Sequence, residues 1–135
     1  GDLLDGLGGG DALAGGAGDD VLIFAADARR LAGDAGVDTL RVVDVNATLD
    51  LTGDIARRLF GFERIDLTSA GNHLVLDQRA LVNLSDTSNF LQVSGASGAS
   101  VQASGAWLDA GAVFANGVDY QRYVQGEAEL RVAQA

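Results

Sequence analysis

The sequence predicts an all-β fold, in which short parallel strands stack as successive coils and an antiparallel β unit closes the C-terminal end. Three observations lead to this prediction. Glycine is concentrated at the start of the chain, where residues 1–36 hold ten of the 19 glycines. Leucine recurs at every ninth position from Leu4 to Leu49. Beyond residue 45, apolar and polar residues alternate at the period of a β-strand, with turn residues between the alternating segments.

Nonapeptide repeats make up the first segment. The pattern G-G-x-G-x-D-x-U-x, where U is a large apolar residue, is matched at all five specified positions by Gly15–Ile23. Gly6–Ala14 and Gly33–Arg41 each match four positions. Phe24–Ala32 matches only through Leu31. The glycines permit a tight turn, and the triplet around U is a short strand whose central side chain points inward. Two successive nonapeptides therefore make one coil.

A ladder of leucines follows from this phase. Its members are Leu4, Leu13, Leu22, Leu31, Leu40 and Leu49. A coil of two nonapeptides places Leu4, Leu22 and Leu40 on one sheet. The same period places Leu13, Leu31 and Leu49 on the facing sheet. A flexible linker has no reason to hold leucine at one phase, and a phosphate-binding loop would need a lysine, which the chain lacks.

A ladder of aspartates accompanies the leucines. Asp2, Asp20 and Asp38 share one edge of the predicted coils, while Asp11 and Arg29 share the other. Sixteen of the 19 acidic residues are Asp, and the net charge is −10. Short carboxylates in tight turns suit calcium as ligands. The same acidic balance disfavours nucleic acid and anionic membrane surfaces as partners.

Residues 1–41 resemble the repeats of RTX (repeats-in-toxin) proteins, which type I secretion systems export from Gram-negative bacteria. The remainder resembles the C-terminal region of large RTX adhesins, in the segments GVDTLRV, FERIDLTSAGNHLVLDQRAL and the closing GVDYQRYVQGEAELRV. The resemblance implies a secreted or cell-surface protein with a role in cell adhesion and biofilms. It implies a parallel β-roll, or β-solenoid, that is exported unfolded and folds outside the cell on binding calcium. The implied partners are calcium ions and the type I secretion machinery. From the acidic charge and the lack of a run of eighteen apolar residues we expect no nucleic acid and no membrane insertion, and we expect a monomer.

The resemblance also implies a set of calcium ligands. In the family, the aspartate of each motif contributes its carboxylate and turn carbonyls supply the rest. Carried onto this chain, the metal ligands are the aspartates Asp2, Asp11, Asp20 and Asp38 with the carbonyls near Gly15, Ala17, Gly33 and Ala35. On the second edge Arg29 replaces an aspartate, which leaves two alternatives. Either Asp27 shifts into the site, or Arg29 faces Asp11 as a fixed positive charge.

The domain prediction is a calcium-binding β-roll over residues 1–45 and a β-rich solenoid and cap over residues 46–135. In the second part we expect short helical turns at Asp54–Phe60 and Asp77–Leu84, each with an aspartate at its N-cap. The strands expected between the repeats and the cap are Thr48–Thr52, Arg64–Thr68, His73–Leu76, Phe90–Val93 and Ser100–Ala103. The cap is predicted as an antiparallel meander with strands Ala112–Ala115, Val118–Val124 and Glu129–Val132. Asn116-Gly117 and Gln125-Gly126 are its turns, and its packing residues are Trp107, Tyr120 and Tyr123.

The predicted function is calcium-dependent folding and stabilisation of the C-terminal part of a secreted RTX protein, with an adhesin as the first choice. We expect no enzyme, because there is no cysteine, no G-x-S-x-G motif and a single histidine, His73. Two alternatives stay open. One is a ligand-binding module with residues 85–110 as its surface, which an aromatic-rimmed pocket would favour. The other is the repeat tail of a secreted hydrolase. Because Gly1 falls inside a repeat, we expect this sequence to be part of a longer chain.

Overall fold

The computed structural model describes residues 3–4, 12–24, 29–43, 46–53, 58–68, 71–85, 89–95, 100–105, 107–115, 117–126 and 128–133. This part of the chain is mostly β, with one short helix, α1 (Gln78–Ser85). The strands are β1 (Leu3–Leu4), β2 (Ala12–Ala14), β3 (Val21–Ile23), β4 (Arg30–Ala32), β5 (Thr39–Val42), β6 (Thr48–Asp50), β7 (Leu59–Phe60), β8 (Arg64–Leu67), β9 (His73–Asp77), β10 (Phe90–Gly95), β11 (Ser100–Ser104), β12 (Leu108–Ala115), β13 (Val118–Gln125) and β14 (Ala128–Ala133).

An eight-stranded mixed sheet extends from the first strand to the last. Its order is β1-β3-β5-β8-β10-β14-β13-β12. The pairs from β1 to β14 are parallel, and β14, β13 and β12 form an antiparallel meander. Leu4 lies opposite Leu22, and Leu22 opposite Leu40, at the spacing of two nonapeptides that the sequence predicts. These registers place one predicted half of the leucine ladder on one sheet.

Two three-stranded parallel sheets accompany the large one, in the orders β2-β4-β7 and β11-β9-β6. Leu13 pairs with Leu31 as predicted, but the next residue in that row is Leu59. Leu49 instead pairs with Leu74 in the other sheet. The prediction that Leu49 stacks with Leu13 and Leu31 is therefore wrong.

The physical reason is that more residues separate one strand of the large sheet from the next. Leu40 pairs with Ile65 at a separation of 25 residues, which is also the separation of Asp38 and Glu63. The corresponding separation one step earlier is shorter: Asp20 and Asp38 are 18 residues apart. The extra chain accommodates two strands, β6 and β7, between β5 and β8, and β6 begins a third sheet. Leu49 keeps the nine-residue phase but lies on this new sheet.

Helix α1 follows β9 directly. Asp77 Oδ1 accepts a hydrogen bond from the Ala80 N–H at 2.8 Å, which confirms the predicted N-cap. Leu81 and Leu84 on the helix are buried, and the Leu84 carbonyl accepts a hydrogen bond from the Phe62 N–H at 2.9 Å. The helix therefore packs into the same core as the strands.

The helical turn predicted at Asp54–Phe60 is described only from Arg58, which has the predicted helical (3₁₀) conformation, and the prediction is wrong for the last two residues. Leu59–Phe60 forms β7, and Leu59 is buried opposite Leu31, so burial in a parallel row outweighs the local helical pattern. Residues 54–57 lie outside the described residues. The other predicted strands of the second segment are confirmed within two residues at each end, apart from the meander's first strand, which begins earlier, at Leu108.

The core is one cluster of buried side chains. Of the 21 buried hydrophobic residues in the described part of the chain, 16 lie beyond residue 45. Tyr120 is buried, and Trp107 and Tyr123 are half-buried against the cluster, as predicted for the C-terminal end. The second segment thus holds most of the hydrophobic stabilisation. Within the described ranges, no helix has the length and apolar character needed to cross a membrane.

Candidate cation site at the aspartate edge

Asp20 and Asp38 lie next to each other, each just before the start of one of two paired parallel strands. Each follows a glycine-rich turn and directly precedes a strand, β3 for Asp20 and β5 for Asp38. Their exposed fractions are only 1% and 0%. The Asp20 N–H donates a hydrogen bond of 2.8 Å to Asp38 Oδ1. The structure therefore brings these two predicted ligands together, while Asp2 and Asp11 lie outside the described residues.

The electrostatics of Asp38 are unfavourable to a carboxylate. Burial raises the pKa of Asp38 above its ordinary value, and the carboxylates of Asp20, Asp19 and Asp34 raise it further. The hydrogen bond from the Asp20 N–H opposes this rise in pKa. The Oδ2 atom of Asp38 is buried and has no hydrogen-bond partner among the described residues. A cation at this edge would offset the repulsion between the carboxylates and would give the buried Asp38 Oδ2 atom a partner.

Glycine is required in the turns because oxygen atoms crowd them. A methyl group added at Gly15 would stand 2.6 Å from Asp20 Oδ2 and 2.9 Å from the Gly33 carbonyl oxygen. A methyl group at Gly33 would stand 2.6 Å from Asp38 Oδ2 and still closer to the Gly61 carbonyl oxygen. Each carboxylate thus lies near a carbonyl oxygen of the next coil. The Gly33 carbonyl oxygen, one of the predicted calcium ligands, takes this position beside Asp20.

The outer parts of the turns are joined by further hydrogen bonds. Asp19 Oδ1 accepts from the Val37 N–H at 2.8 Å, and Asp34 Oδ2 accepts from the Gly16 N–H at 3.3 Å. Ala17 and Ala35, two further residues whose carbonyl oxygens are predicted ligands, lie opposite each other in a parallel bridge. The two turns are therefore held in register, with four carboxylates along one edge.

Glu63 belongs to this edge, and the sequence did not predict it. Its Oε2 atom accepts a hydrogen bond of 3.0 Å from the Asp38 N–H, and the residue is only 7% exposed. It stands 25 residues after Asp38, outside the nine-residue period. The available signal was local: like Asp20 and Asp38, Glu63 follows a glycine-containing turn and directly precedes a strand.

These residues fit calcium better than a transition metal. Among the described residues, no three His, Cys, Asp or Glu side chains come together as a metal-ligand group. A cation here would be held by carboxylates, turn carbonyls and water together. Calcium accepts such a set of six to eight oxygen ligands at about 2.3–2.6 Å in flexible geometry. The buried Asp38 Oδ2 and the adjacent carbonyl oxygens are ligands of this type.

Both arrangements predicted for the second edge stay open, the one with Asp27 in the site and the one with Arg29 facing Asp11. Arg29 is exposed, whereas Asp11 and Asp27 lie outside the described residues.

His73 is less isolated than the sequence indicates, because its Nδ1 shares a hydrogen bond with Ser100 Oγ. The two residues are direct neighbours in the parallel pair β9–β11. A nucleophilic serine also needs a group that orients the histidine and donors for the oxyanion. Among the described residues, no carboxylate hydrogen-bonds to His73. The pair therefore fits a cross-strand contact.

A pocket of about 420 Å³ lies at the C-terminal end of the core. Trp107 and Tyr123, both half-buried, are its aromatic walls. The remaining lining residues are Val101, Ala103, Gly105, Leu130 and Val132. The Gln125 amide lies beside Gly105, and its Oε1 is buried without a hydrogen-bond partner among the described residues. The pocket thus combines apolar walls with a nearby hydrogen-bond acceptor.

Comparisons with protein-family models, with curated proteins and with solved structures found no match to this chain.

Proposed function

We propose that this chain is a calcium-dependent folding and stabilising segment of a type I secreted RTX protein, in the first place an adhesin, and that it has no catalytic role. The observation that carries the proposal is the stacking of Asp20 and Asp38. Both side chains are buried, and the backbone of one coil hydrogen-bonds to the carboxylate of the next. Two buried carboxylates in adjacent coils repel each other unless a cation lies between them.

The proposed architecture of the first segment is a parallel β-roll that continues as a β-solenoid. The parallel registers support it, because Leu4, Leu22 and Leu40 follow one another at intervals of two nonapeptides. Coils of this size bury little apolar surface individually, so they depend on their neighbours and on bound ions. Calcium then contributes the attraction that the thin core of residues 1–45 lacks.

Export and location rest on the resemblance of residues 1–41 to RTX repeats. Calcium is scarce in the cytosol and abundant outside the cell, so a calcium-dependent segment stays unfolded during export and folds afterwards. The type I secretion machinery is the proposed partner during export, and the folded protein is secreted or displayed at the surface of a Gram-negative bacterium.

Circular dichroism against calcium concentration tests this proposal. We expect millimolar calcium to increase the strand signal and to raise the melting temperature relative to excess chelator. Magnesium at the same concentration should have a smaller effect, because it demands octahedral geometry and releases water reluctantly. Equal strand signal and equal melting temperature in calcium and in chelator would refute a calcium-dependent fold.

Ligand binding is the second candidate function, and the aromatic-walled pocket favours it. The pocket draws on residues 101–107 of the predicted surface 85–110 and on strands β13 and β14. Its chemistry suits a small ligand with an apolar ring face for Trp107 and Tyr123 and a hydrogen-bond donor for Gln125, as a sugar offers. Trp107 is the single tryptophan, so its fluorescence reports directly on the pocket. Titration with mono- and disaccharides should shift its emission, and no shift with any of them would remove this candidate.

A further inference from the structure

The ladder of buried carboxylates does not stop where the glycine repeats stop. The Asp20 N–H donates to the Asp38 carboxylate at 2.8 Å, and the Asp38 N–H donates to the Glu63 carboxylate at 3.0 Å. All three side chains are buried. The same bond is therefore formed twice, and Glu63 is the next member of the ladder.

The oxygen atoms beside Asp38 are arranged like those beside Asp20. Beside Gly15, the Asp20 carboxylate and the Gly33 carbonyl oxygen approach the same point. Beside Gly33, the Asp38 carboxylate and the Gly61 carbonyl oxygen do so. Asp38 Oδ2 is the atom involved, and it is buried without a hydrogen-bond partner among the described residues. A buried carboxylate oxygen that lacks a donor but faces a carbonyl oxygen calls for a cation.

We propose that Asp38, Glu63 and the Gly61 carbonyl oxygen form a further calcium site, between the last glycine-rich turn and the turn that follows it. The inference rests on the proposed calcium-dependent function. The repeat pattern does not mark this site, because its second carboxylate belongs to a glutamate at a spacing of 25 residues. The longer side chain of Glu63 suits the shorter turn before it, since Gly61–Glu63 has three residues where Gly33–Asp38 has six.

The shorter turn also predicts how the site differs from the others. It offers fewer carbonyl oxygens, so water must complete the coordination shell. A cavity of about 200 Å³ is lined by Gly61, which supplies the carbonyl oxygen of the proposed site, and by Asp34. Arg30 also lines the cavity, with its guanidinium 5.0 Å from the centre of the Phe60 ring. With fewer protein ligands, this site binds more weakly than the site between Asp20 and Asp38.

Isothermal titration of the whole chain with calcium chloride tests the inference through Glu63→Gln. The glutamine oxygen still accepts the hydrogen bond from the Asp38 N–H, but the negative charge is lost. We expect the variant to bind one calcium ion fewer than the unsubstituted chain, with its remaining dissociation constants changed less than about threefold. Glu129→Gln is the matched control: it makes the same change of charge in the cap, at ion pairs with Arg122 and Arg131, and should leave the number of ions unchanged.

The outcomes separate this inference from the proposed function. If the unsubstituted chain binds no calcium, both fail. If it binds calcium and Glu63→Gln binds the same number of ions with unchanged affinity, Glu63 is only a backbone acceptor and this inference alone is overturned. If Glu63→Gln does not fold, anomalous scattering from terbium-soaked crystals of the unsubstituted chain decides. A peak between Asp38 and Glu63 supports the site, and a peak between Asp20 and Asp38 without one at Glu63 overturns it.

Discussion

Asp20 is the residue whose loss distinguishes the two edges of the coils. It lies between the predicted gap towards Asp2 and the gap towards Asp38, so Asp20→Ala should disrupt two sites. Asp11→Ala should leave both largely intact, because Asp11 lies on the other edge in the predicted arrangement. A site occupied at 100 times its Kd contributes about 2.7 kcal/mol to the free energy of unfolding.

Thermal unfolding in saturating calcium and in chelator measures the calcium-dependent stability of both variants. The larger loss should belong to Asp20→Ala. An equal loss for Asp11→Ala would mean that the assignment of the edges is wrong.

Replacing Asp38 should change the melting temperature in opposite directions with and without calcium. Its pKa in the folded chain is raised above the ordinary 3.8. The cation-free folded state therefore binds the proton more tightly than the unfolded state does. The stability linked to this group is fully present below pH 3.8 and is lost as the pH rises through the raised pKa. At pH 7 in chelator, Asp38→Asn should raise the melting temperature, since it removes a buried charge and keeps an acceptor for the Asp20 N–H.

In saturating calcium the same substitution should lower the melting temperature, because a ligand is lost. Melting curves in the two conditions at pH 7 and at pH 3 provide the measurement. The difference between Asp38→Asn and the unsubstituted chain in chelator should shrink at the lower pH. A change of the same sign with and without calcium would argue against Asp38 as a ligand.

Strand β3 has one fully buried side chain, Leu22. Leu22 is completely buried between Leu4 and Leu40, whereas Thr39, on the other face of β5, is only half-buried. Leu22→Ala should lower the free energy of unfolding by about 2–5 kcal/mol, through lost burial and the cavity left behind. Thr39→Ala should cost less than about 0.5 kcal/mol. Urea unfolding in saturating calcium compares the two, and similar losses would contradict the inward assignment of the leucines.

The strands and the first edge were predictable because they repeat. A period of nine residues fixes which side chains point inward, and alternation does the same for strands such as β8 and β9. Prediction failed where the coil lengthened from 18 to 25 residues. From that point the nine-residue phase no longer identifies the sheet, so Leu49 was assigned to the wrong row. Glu63 was missed for the same reason, since tertiary pairing and not spacing brings it to Asp38.

Charge and core are distributed unequally over the whole molecule. The stacked carboxylates lie mostly in residues 1–45, while 16 of the 21 buried hydrophobic residues of the described chain lie beyond that point. Each calcium ion adds two positive charges to a chain with a net charge of −10. Calcium should therefore stabilise the first segment directly, and the second segment only at its start, through Gly61 and Glu63, and through the sheet that joins the two.

Hydrogen exchange in calcium and in chelator tests this division between residues 1–45 and 46–135. Amides of β3 and β5 should lose most of their protection when calcium is removed, because like charges then repel across a thin core. Amides of β13 and β14 should keep theirs, since these strands pair with each other and β14 also pairs with β10 beside the buried Leu91 and Leu130. Strand β8 stands between the two groups and should show intermediate protection, because it pairs with β5 on one side and β10 on the other. Uniform loss along the sheet would instead mean that all its strands unfold as one unit and that calcium stabilises the molecule as a whole.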